Sequence, residues 1–278
     1  YFTLVDRFSN GNPSNDRPVV DTHLIAKTNF QGGDLQGIRD KIASGYFNRL
    51  GINTIWLSPI SQNPDQAFQE YVNPRRWYSG YHGYWPNQSC VIDSRFGTDQ
   101  ELNELISLAH HNGINVLLDF VTNHVHQDHP MYKQRPDLFT PFILPNGQKN
   151  IRIWDDQRLT TWFDDFLPTI DLSKPEAIAM QSDSAMYWLQ TFPFDGFRHD
   201  ATKHVPTEYW LALTKKIKNE FISKGRSIYQ IGETYGSNEL IASYIGNSLL
   251  DSQFDFNLYF DLRSLLLDEQ SSFASFVP

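Results

Sequence analysis

One feature limits the fold of this chain more than any other: short apolar strand signals alternate with helix signals along its length. Strands are expected at residues 1–8 (YFTLVDRF), 52–57 (INTIWL), 114–120 (INVLLDF), 194–197, 227–232 (SIYQIG) and 249–256. The first helix opens at Asp34, a capping residue. It carries Leu35, Ile38, Ile42, Phe47 and Leu50 near helical spacing, and stops at Gly51. The second is capped by Thr98 or Asp99 and ends before Gly113. Two more open on Pro175 and Pro206 and reach residues 190 and 224. A weaker helical stretch and a helical tail follow strands five and six. Such alternation implies a parallel sheet with crossover helices.

The polar residues Asp119, Asp200 and Glu233 fall where strands end, and strand ends carry the chemistry of a (β/α)8 barrel. A doubly wound sheet would show a Gly-rich phosphate turn after strand one, and this chain has none. The expected fold is therefore an incomplete (β/α)8 TIM barrel with about six strands present. Residues 1–120 form its first part. Residues 121–173, polar and aromatic, read as a small inserted subdomain. Residues 174–278 form the second part, stopping before a seventh strand. The chain starts at Tyr1 without Met and stops at Pro278, and both ends read as cut.

Composition narrows the partners. The 32 acidic against 23 basic residues give a net charge of -9, without a Lys/Arg block, so nucleic acid is not expected. No apolar run approaches the ~20 residues of a membrane helix. The single Cys90 excludes an internal disulfide. Aromatic residues reach 14%, and sugar rings stack on such side chains. The stretch 58–86 holds Trp77, Tyr78, Tyr81, His82, Tyr84 and Trp85, and a loop that long is usually functional.

The chemistry gathers around residues 192–204 (FPFDGFRHDATKH). Arg198 and Asp200 sit two apart, so in a strand they share a face. A fixed cation keeps a carboxylate ionised, as a nucleophile must be. Glu233 ends the neighbouring strand, about 4.8 Å away. Burial there would raise its pKa and hold a proton. Two carboxyl groups about 5 Å apart with opposite protonation are what a retaining glycosidase uses. A bare R-x-D would more often be a structural ion pair.

These segments together resemble the first three ordered signature regions of the α-amylase family of glycoside hydrolases, family 13. They are Asp119-Phe-Val-Thr-Asn123-His124, Gly196-Phe197-Arg198-His199-Asp200 through Lys203-His204, and Gly232-Glu233. Tyr81-His82-Gly83-Tyr84-Trp85 is similar to the family's aromatic segment before the third strand. Asp6 to Pro13 and Gly32-Gly33-Asp34 look like the amino-terminal part of amylases and cyclodextrin glycosyltransferases. The resemblance implies a retaining hydrolase of α-1,4-glucans, with Asp200 as nucleophile and Glu233 as general acid/base. It implies that Arg198 holds Asp200 and that Tyr84 stacks on the sugar in the cleaved subsite. His82 and His124 would hydrogen-bond that sugar, with Asp119 supporting the site. Lys203, His204 and Tyr235 would lie on the leaving side. An α-glucan is the implied substrate; the sequence itself does not give the compartment, and only the polymeric nature of such a substrate points to an extracellular or periplasmic home.

Two departures stand out. The family's third catalytic carboxylate lies in a histidine-aspartate motif after the seventh strand, and no His follows His204 here. These 278 residues alone are therefore expected to leave the site incomplete and inactive. The family's common calcium site pairs the Asn matched by Asn123 with an Asp, where this chain has Thr169 in Leu167-Pro168-Thr169-Ile170-Asp171. Thr is a poor ligand for a hard dication. Ca²⁺ is expected instead at the amino-terminal loop, where Asn10, Asn12, Asn15, Asp16, Gly32 and Asp34 match the resembling calcium loop. An α-glucan transglycosylase or cyclodextrin-degrading enzyme would use the same carboxylates. A barrel metallohydrolase, built on His124, His126 and His129, and a non-catalytic starch-binding module are the more distant readings.

Overall fold

The computed structural model describes residues 1–267, 272 and 274. Six strands lie side by side in chain order. They are β1 (Phe2–Thr3), β2 (Thr54–Leu57), β3 (Asn115–Phe120), β4 (Gly196–His199), β5 (Tyr229–Gly232) and β6 (Ser252–Gln253). Every neighbouring pair is parallel. A doubly wound sheet reverses its order at a switch point. This one never reverses, as a barrel wall requires, although among the described residues it does not close.

The helices follow the expected punctuation. Asp34 caps α1 (Leu35–Ala43) by accepting the Gly37 amide. A capping box of Thr98 and Glu101 starts α2 (Asp99–His111). Pro175 opens α3 (Pro175–Thr191), and α4 (Thr207–Glu220) follows Pro206. Two further helices are α5 (Asn238–Ser243) and α6 (Phe256–Leu267). The apolar strands bury Ile55, Val116, Leu118 and Phe197 against Leu105, Leu189 and Leu213 of the helices in one continuous core.

Some expectations need correction. Strand one stops at Thr3, and residues Val5–Phe8 form a helical turn. That turn is held because Val5 N donates to Ser58 Oγ and the Asp6 carboxylate accepts the Gln31 and Gly32 amides. The helix expected over 34–50 breaks at Gly45, whose φ of +71° is left-handed, and resumes at Tyr46–Arg49. Strand four lies two residues later than expected, and strand six shrinks to Ser252–Gln253. The helical tail beyond Leu267 falls outside the described residues.

The stretch 121–173 carries isolated bridges rather than a sheet of its own. Val125, Leu138, Phe139, Ile170 and Leu172 join the barrel's core, whereas Phe166 and Leu167 form a separate cluster with Trp85.

His199 points away from the site into the helix layer. Its Nε2 pairs with Gln230 Oε1 at 3.1 Å, and Gln230 Nε2 donates to Thr214 Oγ1 at 3.0 Å. Burial pushes its pKa down to about 3. The lowered folded value means that its neutral form stabilises the fold above the unfolded pKa of about 6.5. That contribution is lost as pH falls from there toward the folded value. His199→Met is expected to remove about 1.4 kcal/mol per pH unit from the slope of unfolding free energy across that window. Urea titrations at several pH values measure the slope. An unchanged slope would refute the assignment.

Candidate active site

The site forms where β2, β3, β4 and β5 end. Register puts Asp119 directly beside Arg198, and His199 beside Gly232. Asp119 and Arg198 therefore project from adjacent strands to the same side. Arg198 Nη1 donates to Asp119 Oδ1 and Oδ2 at 2.8 and 2.9 Å, and to Asp200 Oδ1 at 3.0 Å. Its Nη2 meets Glu233 Oε2 at 2.6 Å. One guanidinium thus serves three carboxyl groups, not Asp200 alone.

Asp119 is 2% exposed and heavily satisfied. Besides Arg198, its Oδ2 accepts from Trp56 Nε1 at 3.0 Å and Tyr84 OH at 2.8 Å. Tyr84 is thereby fixed at the cleft by its hydroxyl. The preceding Gly83 has φ +88°, and a Cβ there would sit 2.0 Å from the Pro59 carbonyl oxygen. Only glycine fits this approach. His82 Nδ1 accepts the Tyr84 amide at 3.0 Å, leaving Nε2 as the protonated nitrogen. His124 Nε2 is 3.0 Å from the Tyr84 carbonyl oxygen. Burial lowers both imidazoles, to about 3 for His82 and about 4 for His124, so both are neutral.

Burial raises all three carboxyl groups. Asp119 reaches about 7, against the opposing pull of Arg198. Asp200 is raised by burial, with Arg198 opposing, rather than lowered as the R-x-D spacing alone suggests. Glu233 is raised by burial and then by the charge of Asp200. One cation cannot offset three anions in a low-dielectric site, so a proton is retained. Glu233 also acts to lower Asp200, while the charge of Asp200 raises Glu233, so the two carboxyl groups are pushed apart in acidity. Glu233 Oε2 also accepts the Ala201 amide at 3.2 Å.

A cavity of about 710 Å³ is lined by His82, Tyr84, His124, Arg198, Asp200 and Glu233. An adjoining cavity of about 450 Å³ is lined by Lys203, His204 and Tyr235, together with Glu233. Lys203 Nζ lies 3.8 Å from Asp155 and 6.0 Å from the centre of the Tyr235 ring, which is 60% exposed. His204 Nδ1 meets the Arg158 carbonyl oxygen at 2.7 Å, and burial lowers its pKa to about 4. Sequence reasoning missed Trp154, Phe163, Glu70, Arg152 and Asp164, which also line these cavities. They lie in irregular stretches with no periodicity. The aromatic richness of 58–86 and 121–173 was the only signal.

The three histidines read as a possible zinc set do not converge. His124 faces Tyr84, His126 Nδ1 accepts the Asp128 amide and His129 pairs with Ser89 Oγ. Among the described residues no three His, Cys, Asp or Glu side chains are grouped as metal ligands. Among them, too, no helix is long and apolar enough to cross a membrane.

Comparison with known proteins agrees with this geometry. The sequence model of the α-amylase catalytic domain matches residues 2–276. A cyclomaltodextrin glucanotransferase from Bacillus sp. (strain 1-1) is 29% identical over 99% of this chain and 40% of its own length. An α-amylase from Streptomyces lividans is 27% identical over 92% of this chain and 34% of its own. The chain thus spans well under half of these relatives. The crystal structure of an Anoxybacillus α-amylase superposes with a TM-score of 0.78 at 32% identity, over 95% of this chain and 53% of the other. In that enzyme's company, with its sheet order and its cleft at the strand ends, the chain belongs to the α-amylase family.

Proposed function

We propose that the protein containing this chain is a retaining glycoside hydrolase that cleaves α-1,4-glucosidic bonds in starch or maltooligosaccharides. The observation that carries this is the carboxyl pair. Asp200 and Glu233 are held by the two terminal nitrogens of one guanidinium, at 3.0 and 2.6 Å, on the wall of an aromatic cleft. Carboxyl groups bound to one guanidinium lie close together, which is in keeping with the ~5–5.5 Å of retaining enzymes more than with the ~6.5–9.5 Å of inverting ones.

The steps follow from these positions. Asp200 attacks the anomeric carbon as Glu233 gives its proton to the departing glycosidic oxygen. The C–O bond breaks and a glycosyl ester of Asp200 forms. Glu233, now ionised, takes a proton from water, whose oxygen attacks the anomeric carbon and frees Asp200. Two inversions retain the α configuration. Tyr84 supplies a ring against which the sugar stacks. His82 and His124, held neutral, offer hydrogen bonds without adding charge. The chain spans 40% of the length of one cyclomaltodextrin glucanotransferase it matches, so turnover is assigned to the protein that contains it. Proton NMR of maltoheptaose digests tests the reading: α-anomers are expected first, and β-anomers would refute it.

The adjoining cavity favours a second outcome of the same chemistry. Trp154, Phe163 and Tyr235 line it on the leaving side. Such rings could hold a sugar acceptor in place of water, making the enzyme an α-glucan transglycosylase. The ratio of longer to shorter products from maltoheptaose distinguishes the two.

Calcium is proposed at the amino-terminal loop. Asn15 Oδ1 is buried there without a hydrogen-bond partner. A Cβ on Gly32 would lie 2.4 Å from Asp16 Oδ1, so the loop closes against that carboxylate. Asn15 and the Gly32 carbonyl offer hard oxygen donors beside Asp16. In this structure Asp16 accepts Asn10 Nδ2 on both oxygens and Asn12 Oδ1 accepts from Ser14, so Asn10, Asn12 and Asp16 would have to exchange those bonds for the ion. Asp34 fits less well, because its oxygens already accept amides of Gly11, Asn12 and Gly37. A bound ion would tie this loop to α1. Addition of EGTA is expected to lower the melting temperature, and Asp16→Ala to abolish that effect. An unchanged melting curve would count against the site. At the Asn123 position, Asn123 Nδ2 instead faces Thr169 Oγ1 at 3.4 Å, and Thr169 Oγ1 donates to the Thr161 carbonyl.

A further inference from the structure

The two cavities divide the cleft at Glu233, Trp154 and Phe163, which line both. Lys203, His204 and Tyr235 lie on one side of that junction. Glu70, Tyr78, Arg152 and Asp164 line only the other cavity, together with Tyr84 and His82. On the reading proposed above, this second side holds the glycone, the part of the glucan that carries the non-reducing end.

That side is bridged. The hairpin pairing Phe68–Gln69 with Trp77–Tyr78 leans across to the stretch 150–166. Asp164, 2% exposed, accepts the Tyr71 amide on both oxygens at 3.1 and 3.2 Å. It also accepts Arg152 Nη2 at 3.1 Å, while Arg152 Nε donates to the Phe163 carbonyl at 3.0 Å. The Phe68 ring meets Phe166 at 4.7 Å and His126 at 4.5 Å, so an apolar contact backs the polar one. Arg152 holds a left-handed φ of +54°, a conformation unfavourable for a residue with a Cβ. Its side chain is 31% exposed, leaving guanidinium surface for the cleft. A buried carboxylate with this many donors anchors two segments that are 93 residues apart in sequence.

We propose that this clasp makes the site read chain ends. The non-reducing terminal sugar abuts the bridge, and its free hydroxyls hydrogen-bond Glu70 and Arg152. A glucan interior, which continues past that point, is excluded. The enzyme then removes short units from chain ends instead of cutting within chains. Glu70 and Arg152 are specificity-determining residues, and Asp164 is a positioning residue.

The test uses the full-length protein and two substrates, p-nitrophenyl maltoheptaoside and the same compound with its terminal 4- and 6-hydroxyls blocked by an alkylidene group. Products are followed by chromatography. The blocked substrate is expected to show a kcat/KM at least about 100-fold lower, because the added group meets a fixed wall. Asp164→Ala is expected to shrink that ratio to about 10-fold or less by freeing the hairpin. Glu70→Ala, at the cleft surface, supplies the same comparison if Asp164→Ala does not fold. Equal rates on both substrates in the wild-type protein would overturn the inference while leaving hydrolysis standing. Failure to cleave either one would instead overturn the proposed function, and the inference with it.

Discussion

Asp200→Asn is expected to lower kcat of the full-length enzyme by at least about 10⁴-fold, equivalent to about 5.5 kcal/mol of transition-state stabilisation. The amide keeps the shape of the carboxylate but cannot form the glycosyl ester. It also frees Arg198 Nη1 from one of its two carboxylate partners, leaving Asp119 and Glu233 to share the guanidinium. KM should change much less than kcat, because the lost interaction belongs to the transition state. Steady-state kinetics on a chromogenic maltooligosaccharide measures both. A rate within tenfold of wild type would refute the assignment of Asp200 as nucleophile.

Arg198→Met has the largest expected effect on stability. The Arg198 side chain is 5% exposed and is the cation shared by Asp119, Asp200 and Glu233. Burial works against its charge, yet the surrounding carboxylates raise its pKa, with Asp119 the strongest. Methionine fills a similar volume but leaves buried carboxyl groups unpaired. Breaking a buried ion pair by removing one partner costs about 3–5 kcal/mol. Denaturant unfolding at pH 7.5 should show this loss, and part of it should return near pH 5, where the carboxyl groups take up protons. A loss under 1 kcal/mol would mean that the cluster is solvated in a way the structure does not show. In that case Arg198 would do no more than orient Asp200.

The structure bears unevenly on what could be read from the chain. Helix starts at Thr98 and Pro175, and strands at Asn115–Phe120 and Tyr229–Gly232, were legible because capping and strand periodicity are local. The residues singled out around 198–204 and at Glu233 do meet at one cleft, because parallel strands in consecutive order end together. Less legible was the helical turn at Val5–Phe8, whose alternating pattern suited a strand. There the Asp6 carboxylate, buried and pushed up to about 6, found the Gln31 and Gly32 amides, a contact that spans some 25 residues. Local pattern carries no record of such partners.

The same division holds at the site. Sequence alone determined which residue types stand at the strand ends, and from their order the family and the barrel, since both depend on neighbours in the chain. Only the tertiary structure decided that Arg198 answers Asp119 and Glu233 as well as Asp200. Only it decided that Asp164 grips the Tyr71 amide and bridges the cleft. Charge sharing and closure depend on distances between segments remote in sequence, which are set when the sheet assembles and the core is buried.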